Sequence, residues 1–186
     1  MSGEGKVIYT GIGARATPER FLLSAMKIGQ HMARKGYVLR SGAAEGASAA
    51  FEQGCDSVKG QKEIYLPWRG FNGNRSELFT VPDRAYDIMK NFNFAWETLS
   101  ESAKKLQARY VLTVLGEDLR TPSRCIICYT KDGKRKGGTG RALQIAKKHN
   151  IPIFDMGRFE DEVDVMRLRF IEFLESLSLS TEGLLL

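Results

Sequence analysis

Three short segments combine glycine with hydroxyl and basic residues in the pattern that phosphate binding requires. They are Gly11-Ile12-Gly13-Ala14-Arg15-Ala16, Ser41-Gly42-Ala43-Ala44-Glu45-Gly46 and Gly137-Gly138-Thr139-Gly140. Glycine lets the backbone approach a bound group closely. A helix starting just afterwards offers free N–H groups and partial positive charge. The chemistry implied is anion binding, most simply of a phosphate on a nucleotide or a nucleic acid. Gly11, Gly13, Gly42, Gly46, Gly138, Thr139 and Gly140 would supply backbone donors. Arg15 and Arg141 would neutralise charge, and Ser41 and Thr139 would add hydroxyl donors. Lys131, Lys134, Arg135 and Lys136 run into the third segment and would form an electrostatic lip.

Glu45 is the only carboxylate inside the three segments. It can accept hydrogen bonds from sugar hydroxyls. With a raised pKa it would serve as a catalytic acid or base, and cleavage of an N-glycosidic bond in a nucleoside monophosphate is the enzymatic alternative. Other chemistries find little support. Gly11-x-Gly13-x-x-Ala16 matches the first half of a dinucleotide fingerprint, but Arg40 stands where a ribose-binding acid belongs. A Walker A motif is missing. His31 falls inside a helix and His149 at a helix end, with no Ser–His–Asp ordering. Cys125 and Cys128 are three apart on a strand and face opposite sides; with Cys55 they form no metal-ligand spacing. No metal and no resident cofactor are expected.

These residues need a scaffold that gathers them. Residues 6–10, 37–40, 63–66, 124–129 and 151–154 read as strands. Helices are expected from Thr17 as N-cap, with Pro18 in its first turn, to about Lys35, then over 47–53, 100–115, 141–148 and about 160–176. Pro82-Asp83 opens one more. Residues 67–123 form a helical excursion between strands 3 and 4. Its aromatics Trp68, Phe71, Phe92, Phe94 and Trp96 read foremost as packing groups, with base stacking as the alternative. The alternation predicts an α/β protein: a single-domain, Rossmann-like, doubly wound parallel sheet of about five strands over residues 1–176, followed by a tail or docking segment at 177–186. In such a sheet the three segments converge at the carboxyl edge of the strands.

The chain has 186 residues, 42% of them hydrophobic, with 28 Lys and Arg against 22 Asp and Glu, for a net charge of +6. That balance favours anionic partners. No apolar run is long enough to cross a bilayer, and the N-terminus lacks the apolar core of a signal peptide, so a cytoplasmic protein is expected. A homo-oligomer, or an interaction module that dimerises through its helices and modulates a host defence or recombination complex, is a further class, for which the last amphipathic helix is the one candidate.

The order Lys6 to Arg15, Ser41-Gly42-Ala43-Ala44-Glu45-Gly46-Ala47, then Gly137-Gly138-Thr139-Gly140-Arg141-Ala142 resembles the SLOG superfamily of Rossmann-like proteins. That group includes DNA-processing protein A and the lonely-guy nucleotide hydrolases. The chain looks most like the stand-alone DNA-recombination-mediator-like proteins of phages and mobile elements, over most of residues 6–157. The resemblance implies a nucleotide-binding fold, with a nucleotide, a nucleotide-derived signal or single-stranded DNA as partner. The sequence departs from the hydrolases where they carry a threonine and a glutamate: Arg141 and Gln144 stand there. Ser48 replaces an acid often found after the second glycine turn.

Overall fold

The computed structural model describes residues 5–159 and 162–186. Five parallel strands, β1 (Ile8–Gly13), β2 (Val38–Ser41), β3 (Lys62–Ile64), β4 (Cys125–Tyr129) and β5 (Ile153–Asp155), form one sheet in the order β3-β2-β1-β4-β5. The helices are α1 (Glu19–Arg34), α2 (Ala47–Asp56), α3 (Asp83–Lys90), α4 (Glu101–Leu115), α5 (Gly137–Lys148) and α6 (Val163–Ser176). The start expected for α6, Glu160, lies outside the described residues.

The apolar positions of α1, α2 and α6 close over one sheet face, with Phe21, Ile28, Phe51 and Phe170 at its centre. Those of α3, α4 and α5 close over the other, around Ile12, Val111, Val114 and Leu143. Alternation along β4 divides its side chains between the two cores. Cys125, Ile127 and Tyr129 enter the first, and Ile126 and Cys128 the second. The two cysteines therefore face apart, as their spacing predicts.

Several boundaries differ from the sequence reading. β1 does not stop at Thr10 but continues into the first glycine segment as far as Gly13, pairing Gly11 with Ile127 and Gly13 with Tyr129. The cause is packing. A Cβ on Gly11 would stand 2.7 Å from Phe51 Cγ, and one on Gly13 would stand 2.6 Å from Ala47 Cβ. The missing side chains let α2 lie against the strand. Thr17 does not cap α1; its hydroxyl donates to the Ala14 carbonyl at 2.6 Å, and Pro18 occupies the N-cap position. α5 begins four residues earlier than expected, so the third glycine segment is its first turn. β3 ends at Ile64 because the Leu66 N–H turns away to the Leu78 carbonyl. β5 starts at Ile153, since the Ile151 N–H still donates to the Ala146 carbonyl.

Residues 177–186 fold back against α1. The Ser180 N–H donates to the Tyr37 hydroxyl at 3.0 Å, His31 Nε2 lies 2.8 Å from the Ser180 carbonyl, and Leu179 is buried. In the excursion, Trp96 is buried against Tyr86, Phe71 packs edge-on to Trp68, and Phe94 is fully exposed.

Candidate functional site

β1 hands over to α1 on one sheet face, and its neighbour β4 hands over to α5 on the other. The chain thus leaves the carboxyl edge in opposite directions at this point, which opens a crevice in doubly wound sheets. A crevice of about 500 Å³ lies there. It is lined by Gly13, Ala14 and Arg15 at the end of β1, Ala44 and Glu45 after β2, and Thr130, Lys131, Lys134 and Lys136 to Thr139 after β4. Phe71, Asn72, Leu106, Gln107, Arg109 and Tyr110 of the excursion form the remaining wall.

The three segments do meet, but they divide the work. Gly13, Arg15, Glu45, Gly138 and Thr139 face the crevice, whereas Gly11, Ser41, Gly42, Gly46, Gly140 and Arg141 do not line it. The buried Ser41 hydroxyl donates to the Gly11 carbonyl at 2.7 Å and ties two segments together. Gly46, at φ +76°, sits where a Cβ would stand 2.3 Å from the Ala14 carbonyl oxygen. The Ala47 N–H donates to that same oxygen at 3.3 Å, so the first segment caps α2. A Cβ on Gly140 would meet the Arg135 carbonyl at 2.2 Å. Arg141 turns to the excursion, where its guanidinium donates to Asn93 Oδ1 at 3.2 Å.

Two glycines make room for side chains of α4. Gly42 lies under Arg109, whose Nη1 donates to the Gly42 carbonyl at 2.5 Å. Gly138 lies under Tyr110; a Cβ there would stand 2.3 Å from the ring's Cε2. The Arg109 guanidinium is 4.4 Å from the Tyr110 ring centroid and 5.6 Å from that of Phe71. Arg109 is 1% exposed, its Nε has no partner, and among the described residues no carboxylate lies within ion-pair distance of it. Burial pushes its pKa below the ordinary arginine value, with Tyr110 acting in the other sense. A buried cation without a counter-charge costs several kcal/mol as an order of magnitude. Here that charge forms a wall of the crevice.

Asp155 holds Thr130, another lining residue, in place. Its buried carboxylate accepts from the Thr130 N–H at 3.0 Å, the Thr130 hydroxyl at 2.6 Å and the Gly157 N–H at 3.1 Å. This fixes the end of β4, from which Lys131, Lys134 and Lys136 lead to the N-terminus of α5. Lys134 pairs with Asp132 at 3.5 Å. Five cations (Arg15, Arg109, Lys131, Lys134 and Lys136) thus surround the crevice, and Glu45 is its only carboxylate among the described residues.

Sequence reasoning missed Arg109, Tyr110 and Asp155. A signal for the first existed: a charge one residue before Tyr110 and three after Leu106, within the apolar stripe of a helix, calls for a reason. Arg40, flagged as the residue that replaces a ribose-binding acid, is a buried strut. Its Nε donates to Glu63 at 2.6 Å and its Nη1 to the Thr121 carbonyl at 2.5 Å. No group of His, Cys, Asp or Glu able to hold a metal occurs among the described residues, and no described helix is long and apolar enough to cross a membrane.

The sequence matches no protein-family model and no curated protein sequence. Solved structures share its fold. The Moco carrier protein of Chlamydomonas reinhardtii aligns over 92% of this chain and 86% of its own, at 18% identity and a TM-score of 0.50. A second structure of that molybdenum cofactor carrier protein aligns over 93% and 88%, at 16% identity and a TM-score of 0.50. DNA processing protein A of Helicobacter pylori aligns over 80% of this chain and 64% of its own, at 16% identity and a TM-score of 0.53. At these identities the likeness is one of fold. The chain is a single-domain, Rossmann-like α/β protein built like these two, as the resemblance to the SLOG superfamily implied.

Proposed function

We propose that this protein binds a phosphate-bearing ligand of nucleotide size in the crevice between β1 and β4. The observation that carries the reading is the buried, uncompensated charge of Arg109 in the crevice wall. Gly137 to Thr139 of the first turn of α5 line the same space, as do Lys131, Lys134 and Lys136, and a helix N-terminus with basic side chains favours an anion. A volume of about 500 Å³ matches a small-molecule site. Gly13, Gly138 and Thr139 give close backbone approach, Arg15 neutralises phosphate, and Glu45 accepts from sugar hydroxyls. Gly11, Ser41, Gly42, Gly46, Gly140 and Arg141 support the site from behind.

Proteins of the same fold handle ligands of this chemistry. One is a carrier of the molybdenum cofactor, and DNA processing protein A binds single-stranded DNA. A second reading, a single-stranded DNA backbone tracked along Arg15 and the three lysines, draws support from the exposure of those cations. It would fit the recombination-linked setting that the resemblance implies. Calorimetry with nucleoside monophosphates and with a single-stranded oligonucleotide, at several salt concentrations, tests both. The nucleotide reading expects saturable binding that Lys131, Lys134 and Lys136 replaced together by alanine weakens. The polymer reading expects a salt slope near about −0.7 per phosphate neutralised. Absence of binding by either class at low salt would overturn both.

A further inference from the structure

The crevice contains two separate positive poles. One is the first turn of α5, where Gly137 to Thr139 present backbone N–H groups beside Lys136. The other is Arg109. The Tyr110 side chain lies between them: the Arg109 guanidinium is 4.4 Å from its ring centroid, and its Cε2, Cζ and Oη fill the space that a side chain on Gly138 would take. An anion seated on α5 is therefore held off from Arg109 by an aromatic side chain and leaves that charge unmet.

Within the protein Arg109 has little left to draw on. Its Nη1 serves the Gly42 carbonyl, a neutral acceptor, and the Phe71 and Tyr110 rings flank the guanidinium. Its Nε is buried and without a partner. The other buried arginine among the described residues shows the usual solution: Arg40 has Glu63 at 2.6 Å. Aromatic contacts offset only about 2 kcal/mol or so of a cation's desolvation. A full compensating charge can reach Arg109 only from the crevice that it lines.

We propose that the ligand carries two anionic centres separated by a spacer, one seated on the α5 N-terminus and the other facing Arg109, as in a nucleoside bisphosphate rather than a nucleoside monophosphate. This deepens the reading of the crevice as a phosphate site and rests on it. The buried arginine is then a ligand-binding group held at the expense of the unliganded protein's stability. Replacing it by an apolar side chain of similar length relieves the fold while disabling the second pole.

The test measures binding by calorimetry of the 5′-monophosphate and the 3′,5′-bisphosphate of each common nucleoside, with wild type, Arg109→Met and Arg109→Lys, alongside thermal denaturation without ligand. For at least one nucleoside, wild type should bind the bisphosphate at least tenfold more tightly than the monophosphate. In Arg109→Met that ratio should fall to about one, while Tm stays at or above that of wild type. Arg109→Lys keeps the charge and should retain part of the ratio, which covers the case in which the methionine variant fails to fold. Equal binding of mono- and bisphosphates by wild type would overturn the two-anion inference and leave the phosphate site standing. A ratio that survives Arg109→Met would do the same. Binding of neither ligand would overturn both the inference and the reading beneath it.

Discussion

Arg109 Nη1 donates to the Gly42 carbonyl at 2.5 Å, and a Cβ on residue 42 would stand 1.5 Å from that same nitrogen. The glycine and the arginine therefore form one unit. Gly42→Ala should drive the guanidinium out of its seat, destabilise the protein by about 1–3 kcal/mol as overpacking does, and weaken phosphate binding. Urea denaturation and calorimetry check the two effects. Arg109→Met combined with Gly42→Ala should recover much of the stability without recovering binding.

Asp155 holds the end of β4 through three accepted hydrogen bonds. Asp155→Ala leaves the buried Thr130 and Gly157 N–H groups without acceptors and should cost about 2–3 kcal/mol. Asp155→Asn keeps one acceptor oxygen and should cost less. Equilibrium unfolding ranks the three proteins, and equal midpoints would show the clamp to be dispensable.

His31 sits under the C-terminal segment. Burial pushes its pKa below the ordinary histidine value, the Ser180 carbonyl opposes this, and Lys35 and Arg34 add to the lowering. At neutral pH the neutral ring donates its Nε2–H to Ser180. As pH falls below about 6.5, the unfolded chain takes up a proton that the folded chain refuses, so stability falls until the folded pKa is reached. The Tm of wild type should therefore drop more between pH 7.5 and 5.5 than that of His31→Gln. Parallel curves would remove His31 from the pH response.

All three cysteines are free and buried. Burial pushes Cys55 up to about 11, Cys125 up to about 12, and Cys128 above the ordinary thiol value. The native protein at pH 8 should resist a thiol reagent, and three thiols should react once denaturant is added. Rapid labelling of the native protein, or a Cys125–Cys128 disulfide on mild oxidation, would contradict the division of these residues between two cores.

Glu45 decides between holding a nucleotide and cutting it. Chromatography of nucleoside monophosphates incubated with pure protein should show no free base, since the hydrolase glutamate position carries Gln144. Release of base by wild type that is lost in Glu45→Gln would make the protein a nucleotide N-glycosidase.

Much of the fold was legible because its signals are local. Helical spacing in residues 100–115 and the apolar run before Tyr129 each point to one element type whatever surrounds them. The glycine segments were legible as landmarks but not in their roles. Glycine has no side chain to declare a face, so Gly11 and Gly13 read as a turn although they continue a strand beneath Phe51 and Ala47. Gly42 accommodates Arg109 of α4 and does not line the crevice, while Gly138 lines it and also accommodates Tyr110, a second role that the sequence does not declare. Arg109 was missed for the complementary reason. Only tertiary docking shows that this one charge on α4 turns inward, and local pattern carries no record of docking.

The bond from Arg109 to Gly42 spans 67 positions, and the buried Thr10 hydroxyl reaches the Thr113 carbonyl across 103. The crevice thus waits on loop closures that local helix and turn formation cannot supply, and such contacts form slowly. A chain emerging from the ribosome can pair β1 with β2 well before it can hold an anion. The wall at Gly137 to Thr139 is synthesised well after both of those strands. On the proposed reading, a ligand would therefore bind only the assembled crevice and would slow its opening.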